Sequence, residues 1–213
     1  MSKRILITSG PTRAPLDAVR FLSNRSTGRF GRLLAQEALR KGMGVTFVYG
    51  VGSETPGPHE SLRLLPVETD QDLSNSLKKE LRCRQYDAVI HAMAVLDFEP
   101  SRVRRGKVGS RSGVWTLDLR PTPKIIRKIK QWSPKTFLVG FKLEASGRSK
   151  LLKRARCLMK ESRADLVVGN FLTEGNDERH VGYLIEPPRR VKKVVGKKRL
   201  SRVIISKLIR GIA

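Results

Sequence analysis

A doubly wound α/β fold, its sheet mostly parallel and closed by a small β-rich extension, is the architecture this sequence predicts. Three observations predict it. Short apolar runs of strand length alternate with segments whose apolar residues recur at three- and four-residue steps. The first such triplet, an apolar run, an amphipathic segment and a second apolar run, is a strand–helix–strand unit, which demands a parallel pair and a crossover. Near the end, two strand-like runs are joined by Pro187-Pro188, too close together for a crossover helix.

Arg4–Thr8 is a short buried strand, and Ser9-Gly10-Pro11-Thr12 turns after it. A loop runs to Ser26. A helix follows from about Thr27 to Lys41, with Phe30, Leu33, Leu34, Ala38 and Leu39 on its apolar face. Gly42 and Gly44 stop it, and Val45–Val51 is the next strand. A Gly/Pro-rich loop, Gly52–His59, precedes a strand at Leu62–Val67. Thr69 or Asp70 caps a helix reaching about Leu81. Ala88–Ala92 is a strand; residues 97–113, rich in Arg, Lys, Gly and Ser, form a long loop of the functional or mobile kind. Val114–Leu119 alternates as a strand, Pro123 opens a helix to Lys130, and Thr136–Phe141 is a further strand. A basic helix spans Ser149 to about Glu161 before the strand Leu166–Gly169. Val181–Ile185 and Arg190–Val195 form the extension, and a last helix starts at Ser201. This alternation is Rossmann-like and is expected to span 1–213 as one domain. Ligands of such sheets bind beyond the carboxyl ends of the strands, so residues 9–28, 91–113, 120–126, 141–145 and 169–173 should carry the chemistry.

Composition narrows the function. With 39% hydrophobic and 30% charged residues in 213, the chain can bury a core. It offers no membrane-length apolar run and no signal-peptide pattern at its start, so a cytoplasmic location is expected. The two cysteines, Cys83 and Cys157, make neither a disulfide framework nor a metal site. Lys plus Arg is 44 against 19 for Asp plus Glu, a net charge of +25 that favours anionic partners. The densest stretch, Pro187–Ala213, holds ten basic residues and no acidic one. Nucleic acid is one such partner. Yet aromatics are only 6%, and no zinc finger, RRM signature or KH loop is present.

Two patterns point to phosphate. Ser9-Gly10-Pro11-Thr12-Arg13 follows the first strand, and Ser23-Asn24-Arg25-Ser26-Thr27-Gly28-Arg29-Phe30-Gly31 opens the first helix. Hydroxyls and glycines there leave backbone N–H groups at the positive end of the helix. Gly28 and Gly31 permit close approach by a ligand or a neighbouring strand, though the same residues also serve ordinary capping and packing.

These stretches, I-L-I-T-S-G-P-T-R and D-A-V-R-F-L-S-N-R-S-T-G-R-F-G, resemble the signature of phosphopantothenate–cysteine ligases. Later segments agree in order: His91–Phe98, Gly106-Lys107-Val108, Pro121–Ile125, Val139–Glu144 and Asp165–Asn170. The resemblance spans about residues 4–185. It implies a ligase that joins 4′-phosphopantothenate to cysteine in coenzyme A biosynthesis. The substrate carboxylate attacks CTP or ATP, with Mg²⁺, to give an acyl-nucleotide, and the amine of cysteine then displaces the nucleotide.

By the same resemblance, Asn24 and Lys107 are the catalytic candidates, Asn24 toward the acyl-nucleotide and Lys107 from a mobile loop in the amide-forming step. Arg20 and Asn170 are candidates for holding substrate or intermediate. Gly10, Ser26, Thr27, Gly28, Ala92, Met93, Asp97, Pro123, Lys124, Ile125, Phe141 and Lys160 are candidates for nucleotide contact. No residue set is implied as a metal site. The family usually forms homodimers, which directs attention to residues 171–200 as an interface.

The sequence departs from the family where base and ribose are held: Thr122 and Lys124 replace Asn and Asp, Lys142 and Leu143 replace two alanines, and Met93 a smaller residue. The flavin-dependent decarboxylase half found in bifunctional relatives is not part of this sequence. Two other readings compete. A nicotinamide-dependent oxidoreductase fits a Gly28-x-x-Gly31 helix start, but these glycines lie some twenty residues beyond the first strand instead of in its immediate turn. A basic nucleic-acid-binding protein would use the tail as an electrostatic footprint.

Overall fold

A computed structural model describes residues 2–111, 113–171, 177–188 and 190–212. The chain runs β1 (Arg4–Ser9), β2 (Arg13–Pro15), β3 (Phe21–Ser23), α1 (Arg29–Arg40), β4 (Gly44–Gly50), β5 (Leu62–Val67), α2 (Asp70–Cys83), β6 (Ala88–His91), β7 (Phe98–Pro100) and β8 (Leu119–Pro121). It continues through α3 (Ile126–Trp132), β9 (Phe137–Glu144), α4 (Arg148–Ser162), β10 (Leu166–Phe171), β11 (Val181–Glu186), β12 (Arg190–Val195) and α5 (Lys197–Gly211).

Eight strands form one sheet in the order β12-β11-β10-β9-β6-β1-β4-β5. From β5 to β10 every pair is parallel; β11 and β12 add antiparallel strands at one edge. The predicted extension is thus continuous with the main sheet. Numbered along the chain, the parallel strands lie in space as 3-2-1-4-5-6. The order reverses between β1 and β6, and the helices that follow those two strands, α1 and α3, pack on opposite faces. A crevice opens there.

Both faces of the centre are covered. Successive residues of β1 point to opposite sides, so Ile5 and Ile7 pack with Phe47, Ile90 and the buried faces of α1 and α5, while Leu6 packs with Val48, Val89 and α2. α2 shows why its residues form a helix. Leu73, Leu77 and Leu81 recur every fourth position and are buried. Thr69 is its cap: Asp72 N donates to Thr69 Oγ1 at 3.1 Å and Thr69 N donates to Asp72 Oδ2 at 2.9 Å. Each fully buried aliphatic side chain contributes roughly 1.5–3 kcal/mol, so the central strands hold the site's floor rigidly.

Several expectations need correction. The segment between Ser9 and Ser26, read as loop, contains the hairpin β2–β3, registered Arg13↔Ser23 and Pro15↔Phe21. Its strands are three residues long, too short for a period-two signal. No strand occupies residues 114–118. Val114 is 94% exposed and has no sheet to receive it. Leu119–Pro121 pairs instead with Phe98–Pro100, inside what reads as irregular sequence. α3 begins at Ile126, with Pro123-Lys124-Ile125 as its lead-in, and α5 begins four residues before Ser201, after Gly196 at φ 88°. Residues 172–176 and Arg189, which belong to the segments read as ligand loop and interface, lie outside the described residues.

Candidate functional site at the switch point

The floor of the crevice is a hydrogen-bonded junction between the loops leaving β1 and β6. Ala92 N donates to Thr8 O at 3.1 Å and Ala94 N donates to Gly10 O at 2.8 Å, which extends the β1–β6 pairing past the sheet. Gly10 makes this turn at φ 79°, in the left-handed region that favours glycine. Thr12 Oγ1 accepts from Leu96 N at 3.1 Å, and Ser23 Oγ donates to Thr12 O at 2.8 Å, so the hairpin is fastened to the same junction. From the far side, buried Thr122 donates its hydroxyl to Leu96 O and its N–H to Asp97 O. The departure at Thr122 therefore joins segment 120–124 to the crevice.

Asn24 stands over this junction. Its Nδ2 donates to both Ala94 O and Val95 O at 3.1 Å. Two carbonyls can only accept, which fixes the amide's orientation. Sequence reasoning directs the amide N–H groups of Asn24 to an acyl oxygen. In the folded chain both are occupied by protein, and what Asn24 offers a ligand is the acceptor Oδ1.

The N-terminus of α1 forms the upper wall. Gly28, at φ 78°, is its N-cap, no cap side chain covers it, and its first turn holds no acidic residue. Ser9 Oγ donates to Gly28 O at 2.9 Å, which ties the helix start to the end of β1. A Cβ on Gly31 would lie 2.1 Å from Ser9 Oγ and 2.4 Å from Ser9 Cβ, so this glycine lets the helix sit that close. Thr27 Oγ1 lies 3.3 Å from Arg29 N, and the neighbouring Ser26 N donates to Asn24 O at 2.9 Å. Positive helix end, hydroxyls and open N–H groups together suit an anion.

The remaining predicted residues are distributed around the crevice. Ala92 and Met93 leave β6, but the Met93 side chain is buried in the core, so only its backbone faces the junction. Asp97 is exposed and ion-paired with Lys124, a charge the family pattern does not place there. Pro123 is exposed beside it, whereas the Ile125 side chain is buried in the core. Phe141, in β9, is half-buried and packs edge-on against Phe30, ring centroids 5.8 Å apart. Asn170 lies near the carboxyl end of β10, between Leu143 and Gly182. Lys160 stands apart. It sits in the last turn of α4, which leads to Asp165, whose N–H donates to Leu138 O at the amino end of the sheet.

Arg20 and Lys107 come together through a residue that sequence reasoning missed. Arg20 Nη1 donates to Asp17 Oδ2 at 2.9 Å and to Val108 O at 3.2 Å, the residue after Lys107. Asp17 is buried, and the Val19 N–H beside it, with those of Val108 and Arg20, holds its carboxyl below the usual range despite burial. Its spacing to Arg20, three residues, was the available signal. Asp70 was missed too. Its carboxylate oxygens are shielded and unpaired at hydrogen-bonding geometry, and burial raises its pKa against the pull of nearby Thr12. Beneath the floor, Thr8 Oγ1 meets His91 Nδ1 at 2.9 Å, and burial lowers the pKa of His91 to about 4.

Known proteins share this fold. The chain is 36% identical over 181 residues to the coenzyme A biosynthesis bifunctional protein CoaBC of Thermococcus kodakarensis, covering 84% of this chain and 44% of that one. It spans less than half the length of this and other curated relatives it matches. Among solved structures it superposes at TM-score 0.90 and 28% identity on the DNA/pantothenate metabolism flavoprotein from Streptococcus pneumoniae, over 99% of this chain and 100% of that one. A Cab2 H337A mutant in complex with phosphopantothenate-cysteine gives TM-score 0.83 at 25% identity, over 99% of this chain and 86% of that one. The family model for the DNA/pantothenate metabolism flavoprotein C-terminal domain matches residues 1–211, and the chain belongs to that family.

Proposed function

We propose that the chain is a phosphopantothenate–cysteine ligase using CTP or ATP. The observation that carries this reading is Asn24, bonded to Ala94 O and Val95 O over the junction of the loops leaving β1 and β6. It brings the Ser23–Gly31 segment and the Ala92–Asp97 segment into one crevice with an uncapped helix N-terminus. A relative bound to phosphopantothenate-cysteine shares the fold.

The reaction needs a carboxylate, a triphosphate and an amine to meet in turn. In the first step the carboxylate of 4′-phosphopantothenate attacks the α-phosphorus, an acyl–oxygen–phosphorus bond forms, and pyrophosphate leaves. In the second, the amine of cysteine attacks the acyl carbon, losing a proton as the nucleoside monophosphate departs. The first-turn N–H groups of α1, with Ser26 and Thr27, supply donors for phosphoryl oxygens. Gly10 and Gly28 let the backbone approach them. Arg20 keeps donors beyond those that Asp17 and Val108 use, and these suit a carboxylate or phosphate. Lys107 brings a cation from the loop that faces Arg20. Asn24 Oδ1 accepts an N–H of the substrate, and Asp97, held by Lys124, orients ribose hydroxyls. Phe141 and Asn170 border the base or pantothenate end.

Mg²⁺ enters with the triphosphate as part of the co-substrate. Among the described residues no cluster of three His, Cys, Asp or Glu side chains can hold it alone, and Mg²⁺ ordinarily keeps waters and phosphate oxygens with one or two carboxylates.

The test is pyrophosphate release by the purified chain with Mg²⁺, 4′-phosphopantothenate and cysteine, run with CTP and with ATP. Release that requires phosphopantothenate supports the ligase, and the two nucleotides rank themselves. A folded chain that releases none with either nucleotide, yet binds RNA with steep salt dependence, would establish the nucleic-acid reading instead.

A further inference from the structure

Asp17 lies outside every group so far assigned to chemistry, yet it is the most fully bonded carboxylate near the crevice. Oδ1 accepts from Val19 N at 2.8 Å and Arg20 N at 2.7 Å; Oδ2 accepts from Arg20 Nη1 at 2.9 Å and Val108 N at 3.1 Å. The last partner lies 91 residues away in sequence. Other bonds follow the same line. Ala18 N donates to Gly106 O at 3.2 Å, Arg104 N donates to Leu16 O at 3.0 Å, and the Arg20 guanidinium lies 5.4 Å from the centre of the Trp115 ring.

Both chain neighbours of Lys107, Gly106 and Val108, are therefore held on the turn between β2 and β3, while Lys107 itself is exposed. The basic loop is docked, and its lysine points from a fixed backbone. Arg20 spends Nη1 on the docking; Nη2 and Nε make no hydrogen bond among the described residues, so a guanidinium held this way still presents a fork to an anion.

We infer that Asp17 is a positioning residue that fixes Arg20 and the backbone of the Lys107 loop together, so that the anion and the lysine meet at one place. Lys107's part in turnover rests on the ligase reading; the docking of the loop does not. An ionised carboxylate is required, because an amide in its place offers one acceptor oxygen, and its NH₂ faces donors it cannot satisfy.

The experiment compares wild type with Asp17→Asn in the full chain. Trypsin cleavage after Arg104, Arg105 and Lys107 under native conditions reads docking without any reference to activity. It should rise about tenfold or more, the loss expected when a charge-assisted hydrogen bond no longer opposes local opening. Val108→Pro removes the loop's donor and leaves Asp17 in place. Trypsin does not cut a Lys–Pro bond, so this variant is read at Arg104 and Arg105, where it should raise cleavage similarly, and misfolding of Asp17→Asn cannot mask the result. In turnover, Asp17→Asn should lower kcat about tenfold with little change in the nucleotide KM, and should cost clearly less in a Lys107→Ala background, where only the displacement of Arg20 is left to act. Unchanged cleavage in both variants would overturn the inference. So would an equal loss of kcat in the presence and absence of Lys107. Raised cleavage in a chain whose wild type shows no turnover would uphold the docking and sink the ligase reading instead.

Discussion

Asn24 illustrates how a residue's role is set by what its neighbours leave open. Because Ala94 O and Val95 O take both amide hydrogens, replacing Asn24 removes a tie across the crevice as well as the Oδ1 acceptor. Asn24→Asp is the sharper substitution, since a carboxylate cannot donate and sets negative charge against two carbonyls and an incoming triphosphate. Asn24→Ala should lower kcat/KM for phosphopantothenate-dependent pyrophosphate release about a hundredfold, and Asn24→Asp should lower it at least as much. An Asp variant with near-native turnover would show that the donor role is dispensable. His91 is a second case, with the proton as the reporter. The unfolded chain takes up a proton near pH 6.5, whereas buried His91 takes none until about pH 4. The unfolded state thus binds more protons in that window, and stability falls as pH drops through it, by about 3 kcal/mol in all. Urea midpoints at pH 7 and pH 4.5 should differ more in wild type than in His91→Gln, which has nothing to titrate there. Equal differences would mean that His91 is not a source of the acid sensitivity.

At the level of elements, α1 carries the site because of a packing decision made at Gly31. Alanine is the better helix former by about 1 kcal/mol, yet its Cβ would fall 2.4 Å from Ser9 Cβ on a short side chain that cannot swing away. Overpacking of that kind costs about 1–3 kcal/mol, so the clash outweighs the propensity. Gly31→Ala should lower the urea midpoint and also weaken triphosphate binding, because α1 must lift from β1. A variant more stable than wild type would refute the close packing. This close approach was legible: Gly28 and Gly31 read as approach points from spacing alone. The long elements were legible as well, β1 and β4 as apolar runs buried on both faces and α1 and α2 from apolar residues recurring at three- and four-residue steps. The hairpin β2–β3 and the pair β7–β8 escaped because three-residue strands have no period, and Val114–Leu119 misled because alternation without a partner sheet leaves Val114 in solvent. Individual site residues were harder. Asn24 was legible as a position but its donors' partners were not, for they lie seventy residues away across the sheet. Asp17 resembles an ordinary turn residue until Val108 is folded onto it.

The whole molecule adds a field that no single element explains. Lys and Arg exceed Asp and Glu by 25, from 44 and 19. Much of the acid is already committed to ion pairs, among them Arg13–Glu68, Arg32–Glu54, Lys207–Glu186 and the bridges of Asp177 to Arg29 and Lys197. The surplus lies on surface helices, with Lys150, Lys153 and Arg156 on α4 and Lys198, Arg199 and Arg202 on α5. No helix among the described residues is long and apolar enough to cross a membrane. Such charges are too dispersed to bind one phosphate tightly, but on the ligase reading their summed potential would draw a triphosphate toward the crevice. Raising salt from about 0.1 M to about 1 M shortens the screening length from about 10 Å to about 3 Å, which removes the distant contribution and spares the contacts within the site. The nucleotide KM should therefore rise several-fold over that range while kcat holds. Reversing Lys198, Arg199 and Arg202 to Glu should raise KM at low salt and make little difference at high salt. If the reversed chain and wild type instead share one KM at every salt concentration, attraction of the nucleotide is confined to Arg20, Lys107 and the α1 N-terminus. The excess positive charge would then have to be explained by something other than substrate capture.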